Sequence, residues 1–251
     1  MSTEKATAVV LRAVEFSETS LVVTLFTREF GKVRALAKGA RRLKSPFESA
    51  LDLLALCRIV FVRKSSEALD LLTEAKLLRR FRLVGKDLAS LYGGYYVAEL
   101  LDSLTHDYDP YPELFDLADE TLSALSVGEP VALRILRFEL GVLRILGHLP
   151  SLDICVECGV RVVAAGKVAF GERDGGVLCE RCRPGKQQVA VISGGALRVM
   201  ARYAEPFGQT WRRVGIGPRL HGELRGVLNR YFYNLLGRKP RMHDYLGLLS
   251  G

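Results

Sequence analysis

Four of the chain's five cysteines fall within one 28-residue stretch, and they restrict what that part of the chain can form. They follow the pattern Cys155-x2-Cys158-x20-Cys179-x2-Cys182. Two Cys-x-x-Cys pairs at this separation are typical of a structural zinc site with four thiolate ligands. The intervening residues, VVAAGKVAFGERDGGVL, predict two short strands joined by a glycine-rich turn. The sequence therefore predicts a zinc ribbon at about residues 153–186 that binds one structural Zn2+ ion.

Two other uses of these cysteines fit the pattern less well. A redox site needs one Cys-x-x-Cys pair of low pKa at the start of a helix, and a thiol oxidoreductase using Cys179 and Cys182 is kept only as an alternative. The N-terminal residues lack the pattern of a signal peptide, so we expect a cytoplasmic protein, in which disulfides are rare. A closed four-thiolate site has no open position for a substrate, so we assign it no catalysis.

The first 80 residues contain five short apolar segments separated by turn signals, which predicts five strands. The segments are ATAVVLRAV, LVVTLFT, KVRALAK, LALCRIVFV and ALDLLTEAKL. Five short strands in this length favour the OB-fold, a small five-stranded barrel. The last segment is compatible with a helix as well, and Cys57 in the fourth is expected to be a buried core thiol.

After about residue 83 the apolar period becomes helical. Proline, serine and glycine at suitable positions mark where helices begin and end. The predicted helices cover about 86–104, 112–126, 131–146, 193–205 and 218–236, followed by a short last helix. The fold class is therefore α+β and multidomain, with an OB-fold at 1–82 and an α-helical domain at 83–251 that carries the zinc module as an insertion.

Charge is distributed unevenly along the chain. The net charge is +6 over residues 1–80, −6 over 81–150 and +8 over 151–251. A basic surface attracts polyanions because their counterions are released on binding. No apolar run is long enough to cross a membrane without a charge, so we expect no membrane partner.

The strongest basic cluster is the predicted hairpin and loop at 28–44, which has seven basic residues and one acidic residue. Alternation along GKVRALAK predicts one basic strand face, which would suit the phosphate backbone of a nucleic acid. The candidate DNA-binding residues are Arg28, Lys32, Arg34, Lys38, Arg41, Arg42 and Lys44. Nearby aromatic residues that could stack on bases are Phe26, Phe30 and Phe47, of which Phe26 alternates as a core residue.

The sequence contains no recognisable catalytic constellation. The four histidines are scattered, no phosphate-binding GxxxxGK[ST] loop is present, and GIGPRL lacks the third glycine of a dinucleotide-binding loop. We therefore expect a binding protein rather than an enzyme.

The order of barrel, helical region and inserted four-cysteine module resembles the bacterial recombination mediator family RecO over essentially the whole chain. The run TLFTREFGKVRALAKGARRLKS carries the resemblance most specifically. The resemblance implies binding of single- and double-stranded DNA, annealing of complementary strands, and help in loading the recombinase during gap repair. It also implies nucleoid association, no use of nucleotides, and two protein partners, RecR and the acidic C-terminal tail of the single-stranded DNA-binding protein.

An acidic tail needs cations beside an apolar pocket. The basic residues after position 151 are interleaved with aromatic residues, and Arg198 and Arg202 share one helix face because they are four residues apart. We therefore expect the tail to bind near Arg198 and Arg202. The main competing hypothesis is a zinc-ribbon nucleic-acid-binding protein of transcription or translation, which would show no annealing activity.

Overall fold

The computed structural model describes residues 2–42, 45, 47, 49–64, 68–85, 87–206 and 210–246. The chain divides into two compact units, Met1–Arg134 and Ile135–Gly251. Within the described residues, no helix has the length and apolar character needed to cross a membrane.

The first unit contains a closed five-stranded barrel. Its strands are β1 (Ser2–Glu15), β2 (Leu21–Thr27), β3 (Gly31–Ala37), β4 (Leu56–Arg63) and β5 (Asp70–Arg79). The order around the barrel is β1-β2-β3-β5-β4, and β1 closes it by pairing with both β2 and β4. All pairs are antiparallel except β3 with β5, which meet only over Ala35–Ala37 and Asp70–Leu72. The predicted OB-fold is confirmed, including the fifth strand.

Alternation along the strands explains the barrel core. Val23 and Leu25 of β2 and Val33, Ala35 and Ala37 of β3 are fully buried. Small alanines beside larger residues let the narrow interior fill without voids. Cys57 is buried in the same core, as predicted, and its burial raises the pKa of the thiol to about 12.

The first unit also contains helices α1 (Leu88–Leu104) and α2 (Pro112–Ser126). Asp87 caps α1 by accepting hydrogen bonds from the N–H groups of Ala89 and Ser90. Helix α2 has Pro112 in its first turn, as predicted. The connection between these helices runs beside β3. There, Lys32 forms an isolated parallel β-bridge with Asp107, and the N–H of Tyr108 donates to the Lys32 carbonyl at 2.9 Å.

Helix α3 (Val131–Ile145) is buried at every residue from 134 to 143, as its apolar composition predicts. Gly147 ends this region with a positive φ of 75°.

Within its described residues, the second unit holds a three-stranded sheet and three further α-helices. The sheet has the order β7-β6-β8, formed by β6 (Lys167–Gly171), β7 (Gly176–Leu178) and β8 (Val189–Ser193). Helix α4 (Gly194–Ala204) follows, then a 3-10 turn (Thr210–Arg213), α5 (Pro218–Leu236) and α6 (His243–Leu246). Ser193 caps α4, as predicted, by accepting a hydrogen bond from Ala196 N–H. The sequence had not indicated β8.

A buried ion pair joins α3 to α5 inside the second unit. Glu139 is fully buried, and Arg225 reaches it with both guanidinium Nη atoms. A buried carboxylate without a cationic partner is strongly destabilising, so this pair holds the two helices in one arrangement.

We predict that Gly31→Ala destabilises the first unit by more than about 2 kcal/mol. Gly31 has a φ of +68°, and an added Cβ would lie 2.1 Å from the Asp109 carbonyl oxygen. Gly85→Ala is the matched control, because Gly85 has a φ of +66° with nothing within 4 Å of its Cβ position. Its cost should be about 1 kcal/mol, from the backbone alone. Urea unfolding of both variants measures the difference, and equal losses would show that close approach at Gly31 has no role.

Candidate nucleic-acid interface and metal site

The outer face of β3 and its following loop carry one group of exposed cations. Arg34, Lys38 and Arg42 are exposed, while Val33, Ala35 and Ala37 point into the core. Arg34 lies 3.4 Å from a carboxylate oxygen of Asp107. Lys44 lies outside the described residues. The strand alternation predicted from the sequence is therefore present from Arg34 to Lys38.

Lys32 lies on the same side of β3 as Arg34, but it is buried. The expectation that it is exposed is therefore wrong. The residue is 4% exposed, and its ammonium donates to the Asp102 carbonyl at 2.6 Å and pairs with the Asp102 carboxylate at 3.4 Å. Alternation identified its side of the strand correctly, but the connection between α1 and α2 covers that end of β3.

Arg28 and Arg41 are exposed, and each has a carboxylate partner. Arg28 forms a bidentate pair with Asp116, which raises the pKa of the guanidinium through hydrogen bonding. Arg41 lies 3.0 Å from Glu15. A phosphate contact at either position would have to compete with these carboxylates.

None of the predicted stacking residues is exposed, and Phe26 stacks on Phe115 of α2 rather than in the barrel core. Phe26 and Phe47 are buried, and the partly buried Phe30 packs edge-on against Phe61. An exposed aromatic residue that the sequence reasoning missed is Phe16, which follows directly after β1. The sequence signal for this residue is that Phe16 continues the alternation of β1 one residue beyond the end of the strand.

The four cysteines of the ribbon come together in the second unit. Their sulfur atoms all lie within 4.8 Å of one another, and those of Cys158 and Cys179 are 3.7 Å apart. Four thiolates about 2.3 Å from one ion would have sulfur–sulfur distances of about 3.8 Å, so the cluster fits a tetrahedral metal site. Two β-strands joined by a turn separate the pairs, as predicted.

Backbone geometry forms the two cysteine turns. In the first, Gly159 N–H donates to the Cys155 carbonyl at 2.9 Å, and Gly159 has a φ of +71°, which favours glycine. In the second, Cys182 N–H donates to the Cys179 carbonyl at 3.1 Å. These backbone hydrogen bonds close the turn at each cysteine pair.

Electrostatics of the cluster favour a bound cation. Burial opposes ionisation of Cys155, but N–H groups of Cys179, Cys158 and Glu157 outweigh it and lower the pKa of this thiol to about 6. Hydrogen bonding with Cys179 and Cys158 raises the pKa of Cys182 to about 12. Sulfurs this close cannot all be ionised unless a cation offsets their repulsion.

Arg198 and Arg202 are both exposed on α4, one turn apart, as predicted. Arg198 lines a cavity of about 510 Å3, and Arg202 pairs with Glu205 at 2.8 Å. Besides Arg198, the cavity is lined by Ser151, Asp153 and Glu205 and by the apolar residues Leu149, Pro150, Leu152, Ala164, Leu197, Ala201 and Ala204. An apolar pocket with a guanidinium at its rim suits a peptide that has both acidic and apolar residues.

Comparison with known proteins identifies the family. Residues 1–81 match the model "Recombination protein O N terminal", and residues 85–244 match "Recombination protein O C terminal". The chain belongs to the RecO family. Proteins named DNA repair protein RecO are similar over most or all of their length: that of Rhodopirellula baltica is 42% identical, with 95% of this chain and 97% of that protein covered. That of Anaeromyxobacter dehalogenans strain 2CP-1 is 35% identical with complete coverage of both chains, and that of Bacillus pumilus is 31% identical over 91% of this chain and 87% of the relative.

We predict that the purified chain contains one tightly bound metal ion, which elemental analysis would identify and count. Cys158→Ser should lose that ion and lower the melting temperature, since binding of a structural ion contributes to folding. Cys57→Ser is the control because this thiol is remote from the cluster in sequence and lies in the barrel core. Retention of a full complement of metal by the Cys158→Ser protein would contradict a four-thiolate site.

Proposed function

We propose that this protein is a recombination mediator that acts by binding DNA rather than by catalysis. It binds single- and double-stranded DNA, anneals complementary strands, and helps load the recombinase on strands coated by single-stranded DNA-binding protein. The observation that carries the proposal is the exposed group Arg34, Lys38 and Arg42 on an OB-fold barrel. Membership of the RecO family supports the repair and recombination role.

The cations of the barrel divide into two groups in this proposal. Arg34, Lys38 and Arg42 lie on the outer face of β3 and the loop after it and bind phosphates, with Arg34 leaving the Asp107 carboxylate beside it. Arg28 and Arg41 contribute when DNA displaces Asp116 and Glu15. Lys32 acts indirectly, by fixing the connection beside β3, and Lys44 extends the same basic loop in the sequence. Phosphate contacts position a nucleic acid without reading its sequence, as a mediator requires.

We infer that the metal is a single structural Zn2+ ion. Four thiolates in a tetrahedral cluster are the ligand set that this ion prefers. The ion would hold the loops of the ribbon together, and with all four ligands supplied by the protein no substrate could reach it.

Two protein partners belong to the proposal, RecR and the acidic tail of the single-stranded DNA-binding protein. We assign the tail to the cavity beside Arg198, with Arg202 one turn further along α4. Its apolar wall would take apolar side chains of the tail, and the guanidinium groups would pair with its carboxylates.

We predict that the variant Arg34→Glu/Lys38→Glu/Arg42→Glu loses annealing of complementary oligonucleotides precoated with the cognate single-stranded DNA-binding protein. Removing three phosphate contacts should also lower the slope of log affinity against log salt by about 2 for single strands. Filter binding and annealing assays at several salt concentrations measure both effects. Lys32 is left intact because reversing a buried, paired charge would disturb the fold.

The matched control reverses three exposed cations on the β4–β5 side, Arg58, Lys76 and Arg80. It changes the net charge equally but should keep most annealing. An equal loss in both variants would show that only overall charge matters. Binding to bare strands without annealing of coated strands would favour the zinc-ribbon protein of transcription or translation.

We predict that Arg198→Glu/Arg202→Glu weakens binding of an acidic tail peptide by at least about tenfold, because charge-assisted hydrogen bonds are lost. Binding to naked DNA should change much less, as fluorescence anisotropy with labelled peptide and labelled DNA would show. Glu205→Gln is a control that should have the opposite effect on peptide affinity. It removes the carboxylate that pairs with Arg202, so the peptide should bind more tightly. Equal losses of peptide and DNA binding would refute the assignment.

A further inference from the structure

Phe16 is a large aromatic side chain that the barrel leaves in solvent. It is 65% exposed, although it directly follows the longest strand of the barrel. The hydrophobic effect favours burial of a phenyl ring, so an exposed one can mark a binding site. The residues around Phe16 then indicate which ligand could cover it.

The backbone holds Phe16 in a defined place at the tip of the β1–β2 hairpin. Glu15 pairs with Leu21, and the N–H groups of Phe16 and Ser17 donate to the Ser20 carbonyl at 3.0 and 3.3 Å. A ring fixed on a tight hairpin loses little backbone entropy when it binds a ligand.

Phe16 continues a side-chain row on one face of the sheet. Arg12 and Val14 lie on the same face of β1, and Phe16, the first residue after the strand, continues their spacing of two. Val14 pairs with Val22, which pairs with Leu36, and all three are at least partly exposed. These residues form an apolar strip across three strands that leads to Phe16.

Cations border this apolar strip on both sides. In the next row of the sheet, Arg12 pairs with Thr24 and Thr24 with Arg34, and both arginines are exposed. On the other side, Arg41 N–H donates to the Thr19 carbonyl at 3.0 Å, which places the basic loop after β3 against the hairpin tip. Apolar surface between two groups of cations is the arrangement that a single strand needs, with bases on the apolar part and phosphates on the cations.

We propose that Phe16 stacks on a base of single-stranded DNA, with Val14, Val22 and Leu36 as the continuing apolar contact surface. This inference rests on the proposed DNA-binding function and adds a preference to it. Phosphates are present in both forms of DNA, whereas a duplex keeps its base faces stacked inside. Phe16 therefore favours single strands over duplexes, while Arg34, Lys38 and Arg42 bind both.

The direct test uses the variant Phe16→Trp and its fluorescence. The chain's one natural tryptophan, Trp211, is 6% exposed, so the unsubstituted protein provides the blank. Titration with oligo(dT) should quench the added emission, and an abasic oligonucleotide of equal length should leave it nearly unchanged. Bound oligo(dT) that leaves the emission of the Phe16→Trp protein unchanged would overturn stacking at this position.

The affinity test compares Phe16→Ala with Leu78→Ala, a control that also truncates an exposed apolar side chain of the barrel. Loss of one stacked base should weaken oligo(dT) binding by about fivefold or more. Binding to abasic strands and to duplex DNA should change by less than about twofold, and Phe16→Trp should restore affinity. Equal weakening for oligo(dT), abasic and duplex DNA would overturn the inference but leave the DNA-binding function standing. Failure of the unsubstituted protein to bind any DNA would overturn both.

Discussion

The buried ammonium of Lys32 is the contact on which the geometry of the barrel face depends. A lysine that loses its water needs acceptors, and Asp102 supplies both a carbonyl and a carboxylate. This fixes the connection after α1 beside the first half of β3, where β5 does not reach. Tyr108 is held in turn by a hydrogen bond to the buried Asp70 and by Arg63 stacked on its ring. Arg34 of β3 and Lys38 just after the strand remain exposed.

Elements with local signals could be predicted from the sequence. Capping by Ser193, the proline-led starts of α2 and α5, and the end of α3 at Gly147 depend on neighbouring residues alone. The cysteine cluster was predictable for the same reason, because its spacing encodes the two turns and the strands between them. The strand β8 was missed because five residues before a helix cap are too few to show a period.

Features that depend on long-range packing could not be predicted. Alternation assigns Lys32 to a side of β3 but cannot show that residues 102–109, about 70 positions later, cover it. The segregation of charge along the chain predicts a polyanionic partner, but part of this charge is paired within the first unit. Acidic residues after position 81 pair with cations of the basic hairpin, as in Asp116 with Arg28.

These internal pairs affect how the barrel would discriminate between forms of DNA. Phosphate contacts weaken steeply with salt, and a cation that must first leave a carboxylate, such as Arg34 beside Asp107, gains less from each contact. Stacking on Phe16 depends little on salt, because it involves no ion release. As ionic strength rises, phosphate contacts, which both forms of DNA share, contribute less to the affinity, while the contribution of stacking remains. Under this proposal, the surface retains single strands at salt concentrations where it releases duplexes.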